Sequence, residues 1–196
     1  MTAKGIVALL AFTSIPWFVV ERAGASESVG QRCVHRICFV EHKLIGGETV
    51  PLLGSSRFRY LVFDVYTAAL YGPQEWKQSR TFRPDSASEL VIEYHRSISA
   101  SQFGEAADEV LTEQHDAIPD SVRADISRFH RAYRSVREGD RYRLQYRPEV
   151  GTTLFLNNEA LITIAGPEFA AHYFGVWLDP RRPLDSTLRD ALFGSA

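Results

Sequence analysis

Apolar and polar residues change rhythm along this chain, and the rhythm marks its elements. Residues 37–44 (ICFVEHKL) read as a first strand, ended by Gly46-Gly47. Residues 57–71 (RFRYLVFDVYTAALY) are rich in aromatic and β-branched residues and hold neither Pro nor Gly, so they read as one long strand or two bent ones. Gly72-Pro73 closes that run, and residues 89–98 (ELVIEYHRSI) form another strand. The period then becomes helical. Ser99 with Gln102 is a capping-box signal, followed by Phe103, Ala106, Ala107, Val110 and Leu111 on one face. Pro119-Asp120 opens a second helix with Val122, Ile126, Phe129 and Tyr133 on one side.

After the turn at Glu138-Gly139-Asp140, Tyr142, Leu144 and Tyr146 alternate with Arg141, Arg143, Gln145 and Arg147, the pattern of a half-buried strand. Residues 152–156 and 160–164 flank Asn157-Asn158-Glu159 as a hairpin. Pro167 starts a third helix, and residues 185–193 form a short last one. Strands, helices, hairpin strands and helices in that order predict an α+β fold, an antiparallel sheet with helices packed on one face.

The N-terminus follows a different rule. Lys4, an uncharged apolar run over residues 5–20, and Ala23-Gly24-Ala25 before Ser26 have the layout of a cleavable signal peptide over residues 1–25. The competing reading is an uncleaved anchor, but the run is shorter than a spanning helix needs and Pro16 interrupts it. Export would place the protein in the periplasm or outside the cell, with no stable membrane span after cleavage. Residues 26–39 would then be a lead-in and residues 40–196 the domain.

The chain has 22 Lys and Arg against 24 Asp and Glu. Removing residues 1–25 takes Lys4, Arg22 and Glu21, leaving 20 against 23 and a net charge of −3. A mildly acidic chain has no electrostatic basis for binding nucleic acid. The oligomeric state is not encoded in any pattern seen here.

Two cysteines, Cys33 and Cys38, stand close together, and in an oxidising compartment such a pair forms a disulfide. Free thiols are a second reading. A third is metal, because Cys33, His35, Cys38 and His42 offer two thiolates and two imidazoles, although the spacing matches no zinc pattern. There is no G-x-S-x-G elbow, P-loop, H-E-x-x-H or haem-attachment motif, so no cofactor is implied. His95, His115, His130 and His172 stand without obvious partners in the sequence. Arg57 and Arg59 are unusual inside an apolar run: they lie either on a solvated sheet face or in a cavity holding an anionic group.

Gly54, Arg57, Arg59 and Tyr60, followed by Val65-Tyr66 and Ala69-Leu70-Tyr71, resemble the chalcone-isomerase-like family in its exported bacterial branch. Glu138-Gly139-Asp140, Tyr146-x-Pro148, Asn157-Asn158, Pro167-Glu168-Phe169 and residues 174–181 (FGVWLDPR) continue the likeness over residues 40–194. The resemblance implies an open-faced sandwich with a cleft between a long antiparallel sheet and its helices. The family includes enzymes that cyclise chalcones and fatty-acid-binding proteins that do not. Where the enzymes carry a Tyr, a Lys and an Asn along one helix, this chain has Phe103, Ala106 and Val110, which removes groups that steady an enolate.

The resemblance therefore implies binding of a small apolar or carboxylate ligand, with Arg57 or Arg59 and Tyr66 at the polar head and Phe103 and Val110 along the apolar part. An isomerase acting on another substrate, and a structural envelope protein with a self-filled cleft, are the alternatives. Because side chains alternate along a strand, a straight strand puts both arginines opposite Tyr66, so the pairing requires a bulge or bend.

Overall fold

The helices begin where the sequence places its caps. The computed structural model describes residues 30–194, so the expected signal peptide and its cleavage site lie outside the described residues. Ser99 and Gln102 form the capping box of α2 (Ala100–Gln114), with the Gln102 side chain accepting from the Ser99 amide at 3.0 Å. Pro119 precedes α3 (Asp120–His130), and Pro167 supplies the first turn of α4 (Pro167–Leu178). Asp185 caps α5 (Ser186–Leu192) by accepting from the Leu188 amide at 2.6 Å. A short helix, α1 (Trp76–Ser79), fills the loop before the third long strand and has no signal in the sequence pattern.

Among the described residues, seven strands form one antiparallel sheet in sequence order. They are β3 (His42–Ile45), β4 (Glu48–Tyr60), β5 (Phe63–Tyr71), β6 (Ser88–Tyr94), β7 (Arg141–Arg147), β8 (Gly151–Leu156) and β9 (Glu159–Ile164). A separate hairpin, β1 (Gln31–Val34) and β2 (Ile37–Val40), lies on the outer face. The expected strand over 37–44 is thus two strands broken at Glu41, because β2 pairs with β1 and β3 with β4.

The larger correction concerns residues 57–71. Expected as one long strand or two bent ones, they are the end of β4, a turn, and β5, two strands that pair with each other as a hairpin. The turn falls at Leu61-Val62 without Gly or Pro, Leu61 itself taking the left-handed conformation at φ 56°. Only a short remainder of the expected strand over 89–98 continues past Tyr94, as an isolated bridge between Ile98 and Val136.

All five helices follow sheet strands in the chain, and the larger apolar core joins side chains of α2–α5 to the inner face of β5–β8. Leu90, Ile92 and Tyr94 point to that core, as do Tyr142, Leu144 and Tyr146 of β7. α5 lies directly on β4, where Gly54 is required by close approach: a Cβ there would stand 2.0 Å from the Ala191 carbonyl oxygen. The outer face carries a smaller apolar cluster in which Phe39 of β2 covers Val50, Leu52, Tyr71 and Val91. The Tyr71 hydroxyl ties the hairpin down by donating to the Val40 carbonyl at 2.9 Å. Among the described residues no helix is long and apolar enough to cross a membrane.

Candidate functional site

Three adjacent strands place aromatic rings in one row. Phe58, Tyr66 and Tyr94 are cross-strand partners on β4, β5 and β6, all on the inner face. Phe58 stacks on Tyr66 with ring centroids 4.9 Å apart, and Tyr66 meets Tyr94 edge-on at 5.9 Å. Such pairs hold one another's rotamers as well as burying area. Facing this row, α2 presents Phe103, Ala106 and Val110, one side chain per turn. Between the two walls lies a cavity of about 770 Å³.

Trp177 of α4 and Pro183-Leu184 of the following loop close one side. That loop is held by Gln114, whose amide donates to the carbonyls of Gly175 and Arg182, each at 2.8 Å. Phe103 does not plug the space. Its ring packs sideways against Tyr94, Tyr133 and Tyr142 at 5.1–5.4 Å, leaving the cleft beside it open.

The polar side chains that the sheet strands contribute to this lining are phenols. Trp177 Nε1 donates to the Tyr66 hydroxyl at 3.1 Å, so the Tyr66 O–H proton remains available to another acceptor. No side chain or carbonyl among the described residues holds the Tyr94 hydroxyl. Burial pushes both phenols above their ordinary range, so both stay neutral donors at any ordinary pH. Deeper in, Tyr133 and Tyr173 share a hydrogen bond at 2.8 Å, and the Tyr142 hydroxyl donates to the Arg134 carbonyl at 2.7 Å. The cation at this cavity is Arg96, an exposed side chain at the mouth whose guanidinium lies over the Phe63 ring at 5.0 Å. Glu105, Glu109 and Glu113 stand on the α2 side of the opening.

Of the residues expected from sequence, Tyr66, Phe103 and Val110 come together here, and Ala106 with them. Arg57 and Arg59 do not. Arg57 lies opposite Thr67 on the outer face, one position before the Phe58–Tyr66 pair. The bulge that would be needed to bring an arginine round does exist, but the register shifts only after Phe58. Both arginines therefore stay with Asp64, Arg57 Nη1 at 2.6 Å and Arg59 Nε at 3.2 Å from its carboxylate. Arg57 instead borders a second pocket of about 480 Å³ with His95 and Glu93, where Thr67 Oγ1 and His95 Nε2 are 2.8 Å apart.

Sequence reasoning missed Tyr94, Arg96 and the Trp177–Tyr66 bond. Tyr94 had a usable signal, because it shares the inward register of its strand with the aliphatic Leu90 and Ile92. Cys33 and Cys38 are disulfide-bonded across the β1–β2 hairpin. With both sulfurs used in that bond, the reading of Cys33, His35, Cys38 and His42 as metal ligands falls away.

The geometry is an open, aromatic-lined cleft with neutral donors, and the fold that carries it occurs in known proteins. The sequence matches the family described as chalcone isomerase-like over residues 34–194. Among solved structures, a fatty-acid binding protein of Arabidopsis thaliana superposes with a TM-score of 0.55 at 13% identity, covering 80% of this chain and 91% of that one. At that identity the likeness speaks for the fold alone. No curated protein matches the chain. The chain belongs to the chalcone isomerase-like family.

Proposed function

We propose that this is an exported protein that binds a small, largely apolar ligand, such as a fatty acid, in the cleft between the sheet and α2. The observation that carries the reading is the cleft itself, about 770 Å³ with aromatic and aliphatic walls, within the range of small-molecule sites. Phe103, Ala106 and Val110 offer an alkyl or aryl group a surface without hydrogen-bonding side chains. The polar end of the ligand meets Tyr66 and Tyr94 as neutral donors, and a carboxylate is placed toward Arg96 at the mouth. Tyr66 thus keeps the anchoring role expected of it, while Arg96 replaces Arg57 or Arg59 as the cation within reach. The fatty-acid binding protein of the same fold is consistent with this use of the cleft.

Support for export comes from the signal-like N-terminus and the Cys33–Cys38 disulfide, a bond that persists in oxidising compartments. The three positions that are polar in the cyclising enzymes are apolar here, which favours binding over isomerisation.

The test is a titration of the purified protein with fatty acids of graded chain length, together with native mass spectrometry of protein recovered from its host. Saturable one-to-one binding, weakened more than tenfold by Val110→Asp in a variant with unchanged circular dichroism, is expected. Failure of every chain length to bind, with no copurifying small molecule, would sink the proposal.

A further inference from the structure

The β4–β5 turn exposes four consecutive large apolar side chains. Tyr60, Leu61, Val62 and Phe63 are 64, 79, 75 and 53% accessible. This is a built tip rather than a frayed loop, since Tyr60 and Phe63 are paired across the hairpin and cannot fold back to hide. Contiguous exposed apolar side chains on a rigid projection mark a contact surface. The tip stands at the open end of the cleft, whose lining includes Phe58, Tyr60 and Val65 from the same hairpin.

Charge chooses the occupant. On the outer face Arg57 and Arg59 share the single carboxylate of Asp64, and at the cleft mouth Arg96 stacks on Phe63, so the tip end of the hairpin has three arginines against one carboxylate. The acidic side chains at the mouth, Glu105, Glu109 and Glu113, lie across it on α2. An aromatic and aliphatic tip flanked by arginines has the composition of segments that sit in a lipid headgroup interface, where tyrosine and arginine keep their polar ends wet.

We propose that the β4–β5 tip inserts into the surface of an anionic lipid bilayer and that the cleft beside it fills from that bilayer. The filling step rests on the ligand-binding reading, whereas the docking does not.

The full chain carries no cysteine besides the bonded pair, so Val62→Cys introduces a single thiol for an environment-sensitive NBD fluorophore. Glu149→Cys places the same fluorophore on the loop after β7, at the opposite end of the sheet. Vesicles of phosphatidylglycerol and phosphatidylcholine should brighten and blue-shift the label at residue 62 and leave the label at residue 149 unchanged. Leu61→Asp in the labelled background should weaken the apparent vesicle affinity by roughly tenfold or more. Raising salt to 0.5 M should weaken it severalfold. Because the signal comes from the tip itself, vesicle binding through the N-terminal apolar run does not imitate it.

No change at residue 62, equal change at both positions, or equal response to pure phosphatidylcholine would overturn the proposal. A change without lipid that grows with protein concentration would give the tip to a second copy of the chain, and overturn it equally. Insertion at residue 62 in a protein that binds no fatty acid would leave the docking standing and sink the ligand reading and the filling step.

Discussion

The two faces of β5, β6 and β7 are built from alternate residues of the same strands, yet they solve opposite problems. Inward, Tyr66, Tyr94, Tyr142, Leu144 and Tyr146 meet the helices and leave a cleft lined by rings. Outward, Glu89 is 1% exposed and is held by Lys43, by Arg143 at 3.0 Å and by Gln145 at 2.7 Å. Next to it Arg141 pairs with Glu93, and beyond that Arg57 and Arg59 pair with Asp64. The outer charges are satisfied by one another, whereas Tyr66 and Tyr94 on the inner face keep their donors unspent, even as Tyr142 and Tyr146 give theirs to backbone carbonyls. Buried charge in this protein is paired within the outer face, and the unspent neutral donors line the cleft.

Alkali should break the inner face first and most completely. Burial raises the phenols of Tyr66, Tyr94, Tyr133 and Tyr173 above their ordinary value. The unfolded chain therefore releases these protons first as pH rises, near pH 10, and binds fewer of them than the folded chain above that point. Stability from these groups is full below about pH 10 and falls above it, by about 1.4 kcal/mol per pH unit for each enclosed phenol. Thermal melts should be flat in this respect from pH 7 to 9 and collapse above pH 10 to 11. A melting temperature that holds at pH 11 would contradict the enclosure of these rings.

On the outer face the largest single effect should come from Glu89→Ala. It leaves the half-buried Lys43 and Arg143 without their carboxylate, at a cost of about 2–3 kcal/mol in denaturant unfolding. Ligand affinity of the folded fraction should not change, because none of these groups borders the cleft. A loss of affinity matching the loss of stability would show that the two faces are not independent.

Smaller effects sharpen the contrast. Tyr66→Phe and Tyr94→Phe each remove one donor and keep the ring, which should weaken binding of a carbonyl or carboxyl ligand by about threefold to tenfold. Titration calorimetry with matched alkane and acid ligands checks this, since the alkane should not notice the change. Arg57→Ala and Arg59→Ala should leave affinity unaltered and shift stability by about 0–1 kcal/mol, as expected of partly solvated pairs to Asp64. A tenfold weakening by either one would restore it as the anchor.

Much of the frame was legible because its signals are local. The Ser99–Gln102 box, Pro167 at a helix start and the strict alternation of residues 141–147 each depend on neighbours within a few positions. The turn at Leu61-Val62 was not legible. Its left-handed residue is a leucine, and its exposed apolar tip has the composition of a strand interior. Without that turn, residues 57–71 read equally as one long strand or two bent ones, and the hairpin register that separates Arg57 from Tyr66 stayed hidden.

The sequence by itself determined the α+β class, the helix starts and the apolar face of α2 with Phe103 and Val110. Local sterics, capping and side-chain period act through the chain's own neighbours, so they are written in order along it. Only the tertiary structure decided which sheet face the helices cover, that the register shift falls after Phe58, and that Tyr94 and Arg96 rather than Arg57 reach the cleft. Those outcomes depend on pairings between residues tens of positions apart. A period of two says that adjacent side chains part company, and leaves to long-range packing which of them meets the core.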